Sequence, residues 1–474
     1  MKNVSFHRYV ISLICVAILS GGGVYIWQKS TAATQSPQNQ PTVATSNELE
    51  KVQTLFDQIR ANYYQEVDED VLVEGALKGM TDALGDPYTT YLSESAANEL
   101  DQSLSSSFEG IGATLTLVND YPEVAQAPIK NSPAEKNGLR LNDRILKVDG
   151  KETKGLSLTE VVNNIRGKKG TTVKLTIQRE KETFDVSITR DTIPVDTVHT
   201  DLDSEKKIGK IEITTFGEST ASELKEGIES LRKKGAKSFI LDVRQNPGGL
   251  LDQVQIMASM FLEDGKTIVK FADDSGVISE TKASAALDEG FKVTEPVVVL
   301  VDGGSASAAE IFAAALQESA DIPVVGTETF GKGTVQNVKE LGDNSELKMT
   351  VMKWLTPNEE WVNEQGVMPD HQADFPEYAY LAPLPRDKEL KEGQSSEAVD
   401  RLNQFLSALG YRTTGDTFDQ TTVSAVQAVQ QKAELEVTGK VNAETAQAIE
   451  KAVTDQLKQE DHAYLKAVEL LSKW

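Results

Sequence analysis

Cysteine and histidine are scarce in this chain, and their scarcity removes several kinds of chemistry. Cys15 is the single cysteine among 474 residues, so intramolecular disulfides and cysteine-built zinc sites are excluded. The histidines are His7, His199, His371 and His462, each in a separate context, and no HExxH stretch is present. A Ser-His-Asp triad therefore has little to draw on, with only His371 left open by sequence distance. Positive charge is short as well: 48 Lys and Arg against 73 Asp and Glu give a formal charge of −25. Nucleic-acid binding depends on Lys and Arg neutralising phosphates, so this balance argues against a nucleic-acid partner and against docking on anionic lipid. Hydrophobic residues make up 39% of the chain, enough to build packed cores, which excludes wholesale disorder. The length corresponds to about two to four domains.

What is present begins with an uncharged apolar run over residues 9–27, preceded by Lys2 and Arg8 and followed by Lys29. About 20 apolar residues span a bilayer core, and the short basic leader points to a cytoplasmic N-terminus. The run reads as a single-pass membrane anchor, with a cleaved signal segment ending near "STAA" (30–33) as the alternative and a secreted form as its consequence. Ile14 is too bulky to precede a lipoprotein cysteine, so Cys15 reads as a passive lipid-facing residue. Either way the body of the protein lies outside the cytoplasm. Residues 30–46 are polar, Pro-containing and aperiodic, the signature of a linker.

Residues 47–104 carry helical periodicity, with Val52, Leu55, Phe56 and Ile59 on one face and a second amphipathic stretch ending near Gly85, a cap or dimer contact. Residues 105–190 read as strands with two short helices, the second bearing Leu158, Val161, Val162 and Ile165 on one side. Residues 191–385 alternate strand and helix, including the buried-looking strands of "KSFILDVRQNPGG" and "EPVVVLVDGGSASAAEIF". Residues 386–453 read as three helices with Asp419 and Asn442 as N-caps, and 454–474 as a further amphipathic helix.

The chemistry concentrates in 242–336. "GGSASAAEIF" runs from an apolar strand into a helix, which would expose the Ser307 hydroxyl at a helix N-terminus whose positive end favours a developing oxyanion. Ser307 is preferred to its neighbour Ser305 because the first helical turn also offers the N–H of Ala308. With histidine scarce, the candidate base is Lys332, in "FGKGTVQ". A lysine serves as a base only if burial brings its pKa down from about 10.4. Gln336 can accept from the lysine amine without adding charge. "DVRQNPGG" ends a strand in a turn whose N–H groups, at Gly248 or Gly249, can complete an oxyanion hole. The competing reading is an ordinary helix start and a solvated turn.

Taken together and in this order, "DVRQNPGG", "GGSASAAEIFAAALQ" and "GTETFGKGTVQ", after a Gly-rich module, resemble the carboxyl-terminal processing proteases, the S41 serine peptidases. The resemblance spans about residues 47–380. It implies an α/β multidomain protein: a crotonase/ClpP-like α/β protease core, a helical N-terminal region, an inserted PDZ module and a small C-terminal three-helix domain. It also implies an endopeptidase acting near substrate C-termini through an acyl-enzyme, with no cofactor and no metal. The family's nucleophile falls on Ser307, its general base on Lys332 and the supporting glutamine on Gln336. The oxyanion donors fall on Ala308 and on Gly248 or Gly249. Ala309 stands where the family more often has serine, a change outside the dyad.

The 105–190 module looks like a PDZ domain, which implies peptide C-termini held at Gly110, Ile111, Gly112 and Ala113 beside a helix bearing Val161, Ile165 and Arg166. Arg166 is the candidate for coupling peptide binding to the core. The C-terminal helices resemble a peptidoglycan-binding domain without the aromatics many such domains present. The implied partners are substrate C-terminal peptides, peptidoglycan, the membrane and a second copy in a homodimer, in a Gram-positive envelope. Two other readings compete: an inactive PDZ and wall-binding scaffold, and a crotonase-type isomerase or hydratase, for which no catalytic carboxylate motif or nucleotide-tail pocket is evident.

Overall fold

The computed structural model describes residues 47–105 and 107–474. The apolar run 9–27 and the linker 30–46 lie outside the described residues, and with them the expectation of an anchor or signal. No helix among the described residues is long and apolar enough to cross a membrane. The chain divides into two compact units, the second starting at Leu84. In the first unit, helices Asn47–Asn62 and Glu69–Asp82 are joined by a short loop, and Asp68 caps the second helix by accepting from the Asp70 N–H. Leu55, Val71 and Met80 are exposed on these helices.

The centre of the second unit is a six-stranded sheet ordered Val198–Asp203, Ile208–Ile213, Ser238–Asp242, Val297–Val301, Val324–Gly326 and His371–Gln372. The first pair is antiparallel and the others are parallel. Ser238–Asp242 and Val297–Val301 are buried at every position, as parallel strands covered on both faces must be. One face, with Phe239, Leu241, Val299 and Val301, packs with Leu224, Ile228, Met257 and Phe312 from helices Thr220–Lys233, Leu251–Ser259 and Ala308–Ala320. The opposite face, with Ile208, Ile240, Val298, Leu300 and Val325, is covered by Ala463, Ala467 and Leu471 of helix His462–Leu471. The end of the chain thus forms one wall of the central sheet.

An antiparallel sheet carries Thr90–Leu92, Glu346–Leu355, Thr267–Asp273 and Gly276–Lys282 in that order, with Thr334–Glu340 also paired to Glu346–Leu355. Between Ser107–Gly110 and Asp191–Pro194, which pair with each other, lies a separate sheet module. Its core gathers Ile145, Leu175, Ile177, Ile188, Val161 and Ile165. In the C-terminal domain Asp419 and Asn442 cap their helices, accepting from the N–H groups of Thr421 and Thr422 and of Thr445.

Candidate active site

Ser307 stands where the strand Val297–Val301 has turned into the helix Ala308–Ala320. Its φ of 53° and ψ of −111° lie in a region that non-glycine residues rarely occupy, at a strain cost of about 1–3 kcal/mol. Such strain persists only where neighbours hold it, and here they do. The Ser307 N–H donates to Glu310 Oε2 at 2.7 Å, and the N–H groups of Glu310 and Ile311 bond back to the Ser307 carbonyl. Ser305 is different. It is fully buried, its hydroxyl donates to the Val243 carbonyl at 2.7 Å, and it accepts from the Asp302 N–H. A hydroxyl so engaged cannot serve a substrate.

The turn after Ser238–Asp242 lies against Ser307. The Ala306 N–H bonds to the Asn246 carbonyl at 2.9 Å, and Asn246, fully buried, donates from Nδ2 to the Ile213 carbonyl. A Cβ on Gly248, whose φ is +104°, would come within 2.9 Å of Ser307 Cβ and 3.1 Å of Ala308 N, so only glycine fits there. Among the described residues the N–H groups of Ala308 and Gly249 have no acceptor, whereas that of Gly248 donates to Asn246 Oδ1 at 2.8 Å. Upstream, Arg244 is clamped between Asp242 and Asp461, the N-cap of the C-terminal helix. Burial pushes the Asp242 carboxyl up and Arg244 outweighs it, leaving it below the ordinary carboxylate range.

Lys332 sits in a turn that is anything but solvated. Trp354 Nε1 donates to its carbonyl at 2.8 Å, Trp361 Nε1 donates to the Gly333 carbonyl at 2.9 Å, and Asn363 accepts from the Gly333 N–H. At Gly331, with φ +86°, a Cβ would press on the backbone nitrogens of residues 364–366 at 2.9–3.0 Å. The amine itself has no hydrogen-bond acceptor or carboxylate partner among the described residues; it lies over the Tyr88 ring, 4.8 Å from its centre. Burial holds its pKa below the ordinary lysine range, helped by the like charge of Lys348, while Glu310 and Asp86 pull the other way.

One residue joins the two halves. Glu310 is fully buried, and its carboxylate accepts four hydrogen bonds. Oε2 takes the N–H groups of Ser307 (2.7 Å) and Lys332 (2.8 Å), and Oε1 takes the Gly331 N–H (2.7 Å) and the Thr329 hydroxyl (2.6 Å). The serine turn and the lysine turn are thus pinned to one anion. Among the described residues no hydrogen bond joins Ser307 Oγ to Lys332 Nζ, so the structure brings the two turns together without closing the side-chain contact. Gln336 Nε2 is bonded to the hydroxyls of Thr334 (2.9 Å) and Thr350 (3.1 Å), and among the described residues Oε1 has no donor.

In the sheet module a groove of about 270 Å³ is lined by Phe108, Ile111, Gly112, Ala113, Val162, Ile165 and Arg166 among others. Gly110 lies at its edge, packed beside Phe108 and Arg166. Val161, expected on the groove, is fully buried in the module core, and Val162 takes its place; on a helix of 3.6 residues per turn, neighbours point about 100° apart. Arg166 lies over the Phe108 ring and donates to Gln102, on helix Glu94–Leu104. The Leu104 carbonyl at the end of that helix accepts from the Glu218 N–H at 3.1 Å, and Phe216, nearby, bonds through its backbone to Gly248 and Leu250.

A strained serine at a helix start, a half-buried lysine with no acceptor or carboxylate partner among the described residues, and two nearby N–H groups likewise without an acceptor are parts that acyl transfer would need. The pattern of peptidase family S41 matches residues 207–373, that of the activating protease CtpB N-terminal domain 17–96, a PDZ domain 110–189 and a putative peptidoglycan binding domain 395–449. The carboxy-terminal processing protease CtpA of Bacillus subtilis (strain 168) is 42% identical over 466 residues, 98% of this chain and 96% of that protein. A probable CtpA-like serine protease of Staphylococcus aureus (strain MSSA476) is 38% identical over 89% of this chain and 85% of its own. Among solved structures, a photosystem II D1 C-terminal processing protease is 29% identical with a TM-score of 0.40, over 69% of this chain and 87% of that one. The chain belongs to the carboxy-terminal processing proteases of peptidase family S41, serine-type hydrolases carrying a PDZ domain.

Proposed function

We propose that this protein cleaves protein substrates near their C-terminus with Ser307 as nucleophile and Lys332 as general base. Neutral Lys332 takes the hydroxyl proton as Ser307 Oγ attacks the scissile carbonyl carbon. The tetrahedral oxyanion is held by the Ala308 N–H and by a second donor from the Gly248–Gly249 turn. As the C–N bond breaks, the lysine passes its proton to the leaving amine, and an acyl-enzyme remains on Ser307. Water, deprotonated in turn by Lys332, releases the acid and regenerates the serine. Gln336, with its Nε2 held by Thr334 and Thr350, offers Oε1 to orient the amine. The observation that carries this reading is the Glu310 carboxylate, which fixes the backbone of Ser307 and of Lys332 at once.

The PDZ groove receives the substrate C-terminus, and peptide binding gates the site. Support for the gate comes from the unmade contact between Ser307 and Lys332, and from the chain of contacts running from Arg166 through Gln102 and Leu104 to Glu218. The N-terminal run anchors the enzyme with its body outside the cytoplasm, the first unit pairs with that of a second copy, and the C-terminal domain holds peptidoglycan.

The test is cleavage of casein across pH 6 to 10, with and without an apolar C-terminal peptide. Ser307→Ala and Lys332→Ala should be inert. The wild type should gain activity through a midpoint well below that of free lysine. Arg166→Ala should lose the response to peptide. A Ser307→Ala protein that still cleaves casein would show the nucleophile to be elsewhere.

A further inference from the structure

The stretch "GDPYTTYL", residues 85–92, precedes the lysine by about half the length of the chain, yet its Tyr88 ring lies against the Lys332 amine. We propose that Tyr88 is a positioning residue for the general base, its ring forming the wall that keeps water from the Lys332 amine and aims it; this rests on the reading of Lys332 as the base. The wall is built to stay in place. Asp86 accepts the Tyr88 N–H at 3.0 Å on one oxygen and the Thr89 hydroxyl at 2.6 Å on the other. Thr89 Oγ1 in turn accepts the Thr350 N–H at 3.0 Å, and Thr90–Leu92 pairs with Glu346–Leu355, with Thr90 opposite Lys348. The hydroxyl of Thr350 also holds Gln336. One short segment thus fixes both the ring over Lys332 and the strand that carries Lys348 and Thr350.

The ring acts on the lysine in two opposed ways. Its face attracts an ammonium, but its bulk excludes water, which solvates an ammonium better than a ring face does. Exclusion of water wins, so the ring favours the neutral amine. The charged and titratable groups around Lys332 are Lys348 on the neighbouring strand, Glu310 on the serine helix, Asp86 and the Tyr88 phenol. Burial, with Glu310, Asp86 and Glu364, pushes that phenol above its ordinary range, so the ring stays neutral wherever the lysine titrates.

The experiment is kcat/KM against pH, from 6 to 10, for the full chain with saturating C-terminal peptide. Wild type runs beside Tyr88→Phe, Tyr88→Val, Tyr88→Ala and Lys332→Ala, with thermal melting to confirm folding. Tyr88→Phe keeps the face and should keep the basic limb where it is. Tyr88→Ala should move the limb up by about one unit, read at pH 7 as about a tenfold loss that is recovered at high pH. Tyr88→Val, a milder opening, should move it less in the same direction and serves if the alanine variant does not fold. A limb unmoved in folded Ala or Val variants, or moved equally by Phe, overturns the proposal. If wild type has no such limb, or Lys332→Ala still cleaves, the base assignment has failed and the proposal goes with it.

Discussion

Replacing Glu310 by glutamine tests the joint on which the site depends. The carboxylate accepts three backbone N–H groups and one hydroxyl, all within 2.6–2.8 Å and all away from water. A glutamine placed with its oxygen toward Ser307 and Lys332 keeps those two bonds, but its amide then faces the Gly331 N–H and the Thr329 hydroxyl. The hydroxyl can turn and accept. The N–H cannot, and an orphaned buried donor costs about 1–3 kcal/mol. The lysine turn should relax away from the serine, and a misplacement of about 1 Å at a reacting centre costs about 10²-fold in rate. The expectation is therefore kcat down about a hundredfold, KM nearly unchanged and a modest loss of melting temperature. The pH profile gives a separate sign. Glu310 raises the Lys332 pKa, so losing its charge lowers it further and moves the basic limb to lower pH. Casein cleavage and thermal melting read all of this. A Glu310→Gln enzyme with wild-type kcat, melting temperature and limb would refute the reasoning.

Three further outcomes follow from packing. Asp461→Ala removes one of the two carboxylates clamping Arg244, whose side chain is 12% exposed, while Asp242 stays paired to it; losing the charge-assisted bonds to Asp461 costs about 1.5–3 kcal/mol, visible as a lowered denaturant midpoint. Gly248→Ala would force a Cβ to 2.8 Å from the Ala306 carbonyl oxygen at a φ of +104°, so folded protein should have lost nearly all turnover; wild-type kcat would contradict the close approach. Ser305→Ala breaks the bond to the Val243 carbonyl and should destabilise by about 1 kcal/mol while leaving measurable cleavage.

The candidate nucleophile and base stand out in the sequence because their local signals are strong. An apolar strand, a small-residue turn and a helix start single out Ser307, and a lysine between glycines after an apolar strand singles out Lys332. The supports were not legible, for a physical reason: each is a long-range pairing. Glu310 looks like the third residue of an ordinary capped helix; its one signal is a charge in an otherwise apolar helix, "AAEIFAAALQ", whose first nine residues are all buried. Tyr88 and Asp86 follow a helical stretch and read as its end, whereas they belong to the wall of the lysine site. Asp461 caps the C-terminal helix, and nothing local to it in sequence points to its partner Arg244, 217 residues away. The C-terminal helix reads as amphipathic, but no periodicity tells that its apolar stripe covers the protease sheet.

The central claim is that Ser307 is the nucleophile and Lys332 activates it. Its most direct test is labelling with a serine-directed fluorophosphonate at pH 8, followed by peptide mapping. The account predicts one adduct, on Ser307, absent in Ser307→Ala, retained in Ser305→Ala and formed far more slowly in Lys332→Ala. An adduct on another serine, or wild-type labelling of Lys332→Ala, would contradict it.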